Sequence, residues 1–150
     1  MLEVLFILQF QKYKLKMENK LNCILLIDDD EAVNFIHTKV IAKSNCAHGV
    51  AVARNGEEAL EFLTTKKDEK YPQPDLIFLD INMPVMNGWE FLEEYEKLTL
   101  EQKGKELVVM LTTSLNPDDK KKARKIAHID KFYSKPLDLE QLNIILEKVL

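Results

Sequence analysis

With 150 residues, 46% of them apolar, the chain is long enough to bury one hydrophobic core without metal or disulfide staples. A formal charge of −4 excludes a broad nucleic-acid-binding surface, and the local basic stretch of Lys120, Lys121, Lys122, Arg124 and Lys125 is read as a solvated helix face. Two cysteines without paired spacing, Cys23 and Cys46, and the scattered histidines His37, His48 and His128 argue against a disulfide framework or a zinc site and fit a reducing cytoplasm.

The chain opens with MLEVLFILQFQKYKLK, whose apolar part, Met1 to Phe10, is too short to span a bilayer and lacks the basic start and small-residue cleavage site of a signal. Residues 1–16 are therefore expected to be an extension outside the domain, which would begin at Met17 and occupy residues 17–150. CILLI is the first strand, and Glu31 to Lys43 is a helix with Val33, Ile36, Val40 and Ile41 at core spacing. GVAVA is the second strand, and after Asn55-Gly56 a helix over Glu57 to Lys66 buries Ala59, Leu60 and Leu63. The charged KKDEKYPQP is a loop, DLIFLD is the third strand, and a helix follows from Trp89 to about Lys97. ELVVMLT is the fourth strand. Asn116 then caps a helix with Pro117 at its first position and Asp118 and Asp119 in its first turn, running to about Ala127. KFYS is a short fifth strand, and Asp138 caps a last helix that groups Leu139, Leu142, Ile145, Leu146 and Val149 on one face.

Near-continuous apolar strands alternating with helices predict a parallel sheet covered on both faces. Right-handed crossovers make this a doubly wound, three-layer α/β sandwich. Ligands of such sheets bind beyond the carboxyl ends of the strands, where the winding reverses. Asp28-Asp29-Asp30, Asp80, Thr112-Thr113-Ser114 and Ser134-Lys135-Pro136 stand at those ends. Clustered carboxylates repel one another unless a cation neutralises them, and a set of oxygens without His or Cys favours a hard ion such as magnesium. Asp30 is equally suited to capping the next helix.

The segments ILLIDDDEA, LIFLDINMPVMNG, VVMLTTS and YSKPL, in this order and spacing, resemble the receiver domain of two-component response regulators over residues 22–150. The resemblance implies a flavodoxin-like fold with strand order 2-1-3-4-5. It makes Asp80 the phosphoacceptor, Asp28 and Asp29 the acidic pair, and the main-chain carbonyl of Asn82 the last protein ligand of Mg²⁺. Thr112 and Lys135 would meet the phosphoryl oxygens, Thr112 and Phe132 would form the switch, the bond before Pro136 would be cis, and Asn82 and Ser114 would flank the path of an attacking water. The chemistry agrees: a carboxylate at the end of a buried strand is held in one orientation, and it can attack phosphorus only when positive charge offsets the repulsion of two anions.

On this resemblance the chain is expected to be a stand-alone, cytoplasmic receiver, a phosphoacceptor rather than an enzyme. It would take its phosphoryl group from a sensor histidine kinase or a histidine phosphotransfer protein and lose it slowly by self-dephosphorylation. A downstream protein would read the face made by the fourth helix of the repeat, the fifth strand and the fifth helix. Neither nucleic acid nor membrane is expected as a partner, and the protein would be a monomer or weak dimer. Phe35 is expected to point outward as an anchor for the kinase. ILLIDDDEA also resembles the nucleophile motif of haloacid-dehalogenase-type phosphatases, with Asp28 as nucleophile and Asp30 as general acid, although Ala32 stands where Thr or Val belongs.

Overall fold

The computed structural model describes residues 1–104, 108–113, 116–126 and 129–149, with the side chains of residues 13–18 and 129–131 outside that description. Strands β1 (Leu21–Ile27), β2 (Ala47–Ala53), β3 (Leu76–Asp80), β4 (Val108–Thr112) and β5 (Ile129–Ser134) form a five-stranded sheet in the order β2-β1-β3-β4-β5. All neighbours are parallel. The helices are α1 (Leu2–Glu18), α2 (Glu31–Ser44), α3 (Gly56–Thr64), α4 (Gly88–Glu96), α5 (Leu100–Lys103), α6 (Pro117–Arg124) and α7 (Leu139–Val149).

Successive side chains of a strand point to opposite faces, so a sheet covered on both sides builds two cores from one apolar run. Leu25 and Ile27 of β1 and Ile77 and Leu79 of β3 pack with Ala59 and Leu63 of α3 and Phe91 and Tyr95 of α4. Ile24 and Leu26, with Leu76 and Phe78, pack on the other face against Ile41 of α2 and Leu142 and Ile145 of α7. Each of these large side chains removed from water contributes about 1.5–3 kcal/mol. The chain winds from β1 outward to β2 and then returns to β3 on the opposite side of β1. The winding therefore reverses between β1 and β3, the two strands that lead into Asp28 and Asp80.

Two features, α5 and the inner face of α2, differ from the expectations, which assigned no secondary structure to residues 1–16. Residues 2–18 are helical, and every described side chain from Met1 to Lys12 is exposed. No helix among the described residues is long and apolar enough to cross a membrane. The short helix α5 went unassigned, although Thr99 and Gln102 form a capping box that the sequence displays as Thr-x-x-Gln.

The second difference concerns α2, whose inner face holds Asn34, His37, Ile41 and Ser44. Of the residues assigned to the core, Val33 and Val40 are half-buried and Ile36 is 44% exposed. Apolar periodicity pointed about one position away from the true face. The helix is set instead by polar bonds: Asp30 caps it, accepting from the N–H groups of Ala32 and Val33, and Asn34 Nδ2 donates to the carbonyl of Asp28 at 2.8 Å. Smaller departures concern Leu60, which is half-buried, and Leu139 and Val149, which lie at the ends of α7 rather than in its buried face.

Candidate functional site

Asp28 and Asp80 stand side by side because β1 and β3 are paired in register, Ile27 opposite Leu79. Asp28 is buried, its N–H donating to Ala53 O at 3.0 Å and its Oδ1 accepting from Asp30 N at 3.0 Å. Asp80, the last residue of β3, is buried as well, while Asp29 is exposed. Their carboxylate oxygens, one from each residue, lie within 4.8 Å of one another. Asp30 lies outside this cluster, its Oδ1 held by the first turn of α2 at 2.9 and 3.1 Å.

The cation that answers these carboxylates comes from the opposite end of the sequence. Lys135 Nζ lies 2.5 Å from Asp28 Oδ2 and 3.1 Å from Asp80 Oδ1, with its side chain only 7% exposed. Its backbone N–H donates to Thr112 O at 3.0 Å, which ties the loop after β5 to the end of β4. The Lys135–Pro136 peptide is cis. Thr112 is buried at the last position of β4.

Burial, and then the charge of Asp28, raise the pKa of Asp80 above the ordinary carboxylate value, against the lowering pull of Lys135. For Lys135 burial works against the charge, but the bonds to Asp28 and Asp80 outweigh it and its pKa lies above the usual lysine value. The ammonium is thus firmly charged. Three carboxylates against one ammonium leave the cluster net negative, and an oxygen-only donor set of this kind suits a hard divalent cation.

The loop after β3 is drawn tight over the site. Gly88 N donates to Ile81 O at 2.8 Å, and a Cβ at Gly88 would stand 2.4 Å from Asp80 O. Among the described glycines only Gly104 has a positive φ, so Gly88 serves by leaving room for the strand end rather than by conformational freedom. Asn82 is exposed beside the cluster, and Met83 is buried in the core below it.

The family profile of the response regulator receiver domain matches residues 24–147. The chain belongs to this family. Response regulator Rcp1 of Synechocystis is 32% identical over 120 residues, covering 79% of this chain and 80% of that protein. A two-component response regulator from Cytophaga hutchinsonii superposes with a TM-score of 0.74 at 34% identity, over 87% of this chain and 97% of the other. The Mn²⁺-bound form of Rcp1 superposes with a TM-score of 0.66 at 30% identity, over 85% and 91% of the two chains. The fold is the flavodoxin-like fold of receivers, and the cluster of Asp28, Asp29 and Asp80 is the acidic set of a receiver's phosphoacceptor site. This receiver is a signalling phosphoacceptor rather than an enzyme, and Asp30, the general acid of the phosphatase reading, serves as the N-cap of α2.

On the far side of β4, Phe132 of β5 is half-buried opposite Met110. Its ring centroid lies 6.4 Å from that of Trp89, a tilted pair. Trp89 in turn donates from Nε1 to Asp119 Oδ1 at 3.2 Å and lies under Lys122 Nζ, joining the start of α4 to the start of α6. This aromatic bridge escaped the sequence reading because no local pattern connects Trp89 with Phe132. Ser114 and His128 lie outside the described residues. Phe35 is 63% exposed on the outer face of α2.

Proposed function

We propose that this receiver takes a phosphoryl group onto Asp80 from a phosphohistidine of a sensor histidine kinase or a histidine phosphotransfer protein. The supporting observation is the buried Lys135 ammonium set between the carboxylates of Asp28 and Asp80. An oxygen of Asp80 forms the new O–P bond as the N–P bond of the donor imidazole breaks, and that nitrogen leaves as a neutral imidazole once it holds a proton. Lys135 gives its charge to the phosphoryl oxygens, and the Thr112 hydroxyl donates to one of them. Asp28, Asp29, Asp80 and the carbonyl of Asn82 would hold Mg²⁺, which when bound adds positive charge against the incoming anion.

The change is then read through Thr112 and Phe132, with a downstream protein binding the face of α6, β5 and α7. We further read the protein as a cytoplasmic receiver whose domain is residues 17–150, with residues 1–16 outside it. Acetyl phosphate should place one phosphoryl group on the wild-type protein at Asp80, detectable by mass spectrometry. Labelling should vanish in Asp80→Asn and on chelation of divalent cations. Label that persists in Asp80→Asn and disappears only in Asp28→Asn would move the nucleophile to β1 and end this reading.

The donor's docking place is inferred to be the outer face of α2, where Phe35 stands exposed. Phe35→Ala is expected to slow phosphotransfer from the kinase about tenfold, the equivalent of ~1.4 kcal/mol, and to leave labelling by acetyl phosphate unchanged. Equal loss with both donors would assign Phe35 a role in the fold instead.

A further inference from the structure

The inner face of α2 places two polar side chains one turn apart where a helix packed on a sheet normally presents apolar ones. Asn34 and His37 are 6% and 1% exposed, and with Asp28 and Asp80 they border the same small internal space. Asn34 Nδ2 holds the carbonyl of Asp28 at 2.8 Å. His37 Nε2 accepts the N–H of Leu137 at 2.9 Å, a bond between residues 100 positions apart. A backbone N–H can only donate, so Nε2 is the bare nitrogen and the ring proton sits on Nδ1. Burial lowers the His37 pKa, with the charge of Asp28 opposing and that of Lys135 assisting, so the neutral, accepting ring is the resting form.

These two bonds hold the backbone on both sides of the Asp28–Lys135 ion pair. Leu137 lies two residues beyond Lys135, and its side chain is buried in the same core as Ile41 of α2. The loop from Lys135 to Leu137 is thus pinned at its start to Thr112 O and at its end to His37. We propose that His37 is a positioning residue for Lys135: by accepting the Leu137 N–H it fixes the loop that sets the ammonium between Asp28 and Asp80. The placement of Lys135 then depends on how α2 sits against the sheet. The outer face of the same helix is the one that exposes Phe35 and Ile36.

The inference rests on Asp80 being phosphorylated with the help of Lys135, and a double-mutant cycle separates the two ideas. His37→Leu removes the acceptor and leaves a buried N–H without a partner, and is expected to slow acetyl phosphate labelling about tenfold while exposing the Leu137 amide to faster hydrogen exchange. His37→Gln, whose side-chain oxygen reaches a similar position, should restore both to within about twofold of wild type. In a Lys135→Ala background His37→Leu should slow labelling by less than twofold more, because the group it positions is already gone. The same tenfold loss in both backgrounds, or a Gln variant as slow as the Leu variant, would refute the proposal by showing that His37 acts through packing alone. Labelling that survives Asp80→Asn at the wild-type rate overturns the underlying phosphoacceptor reading, and this proposal with it.

Discussion

Lys135→Met is expected to slow phosphorylation of Asp80 roughly a hundredfold, the usual loss when one preorganised group facing developing charge is removed. It should also destabilise the metal-free fold by about 3 kcal/mol, because two buried carboxylates are left facing each other without their cation. The pH dependence has a definite sign. Asp80 has a raised pKa, so the folded state binds its proton more tightly than the unfolded chain, and ionising it costs stability as pH rises above the ordinary value of 3.8. Removing Lys135 deletes the two influences by which it lowers that pKa, so the proton is held to still higher pH. The stability deficit of the variant should therefore be smallest near about pH 4 and grow toward neutrality. In the wild type the contribution of Lys135 is present at and below its ordinary value of 10.5 and is lost as pH rises through the higher folded value. Urea unfolding in chelator at several pH values, followed by Trp89 fluorescence, measures both trends. A deficit that stays constant from about pH 4 to 8 would mean that the carboxylates and the ammonium are not coupled in the fold.

Gly88→Ala should cost about 3 kcal/mol, at the upper end of what overpacking does. Its Cβ would meet Asp80 O at 2.4 Å, Ile81 Cα at 3.0 Å and Asp80 C at 3.2 Å, all of them backbone of the strand end that carries the phosphoacceptor. Backbone cannot rotate away as a side chain can, so the strand end or the start of α4 must move. The expected drop in melting temperature is about 10 °C. Labelling at Asp80 should fall roughly a hundredfold, since a displacement on the order of 1 Å at a reacting group has that effect. Gly56→Ala is the control: its Cβ would stand 2.7 Å from Met86 Cγ and 2.8 Å from Sδ, atoms of a flexible side chain, with Phe91 Cβ next at 3.0 Å and no backbone atom among the three nearest. Calorimetry and labelling of both variants should show the larger loss at position 88. A Gly88→Ala protein that melts and labels like the wild type would show that the loop over the site has slack.

By itself the sequence determined the alternation of strands and helices and the residues at the strand ends. β3 and β4 are buried at every position, and a parallel strand covered on both faces can be recognised because it reads as a near-continuous apolar run. Each run is broken at its carboxyl end by a polar residue that is itself buried, which is why Asp28, Asp80 and Thr112 could be placed at one edge before any contact was known. The cap of α6 was legible too, since Asn116 accepts from the N–H of Asp118 two residues on, whereas Asn55 and Asn87, which cap α3 and α4, read only as turn residues. Tertiary structure alone decided the rotation of α2. Asn34 and His37 fall outside the apolar positions of α2, since polarity predicts exposure in the absence of a partner, and their partners are the backbone of Asp28 and Leu137. His37 and Leu137 are 100 residues apart, and Trp89 meets Phe132 only because the start of α4 and β5 pack against the same core. Period and composition report what a residue prefers on average, whereas a buried hydrogen bond depends on which backbone groups of other elements arrive beside it.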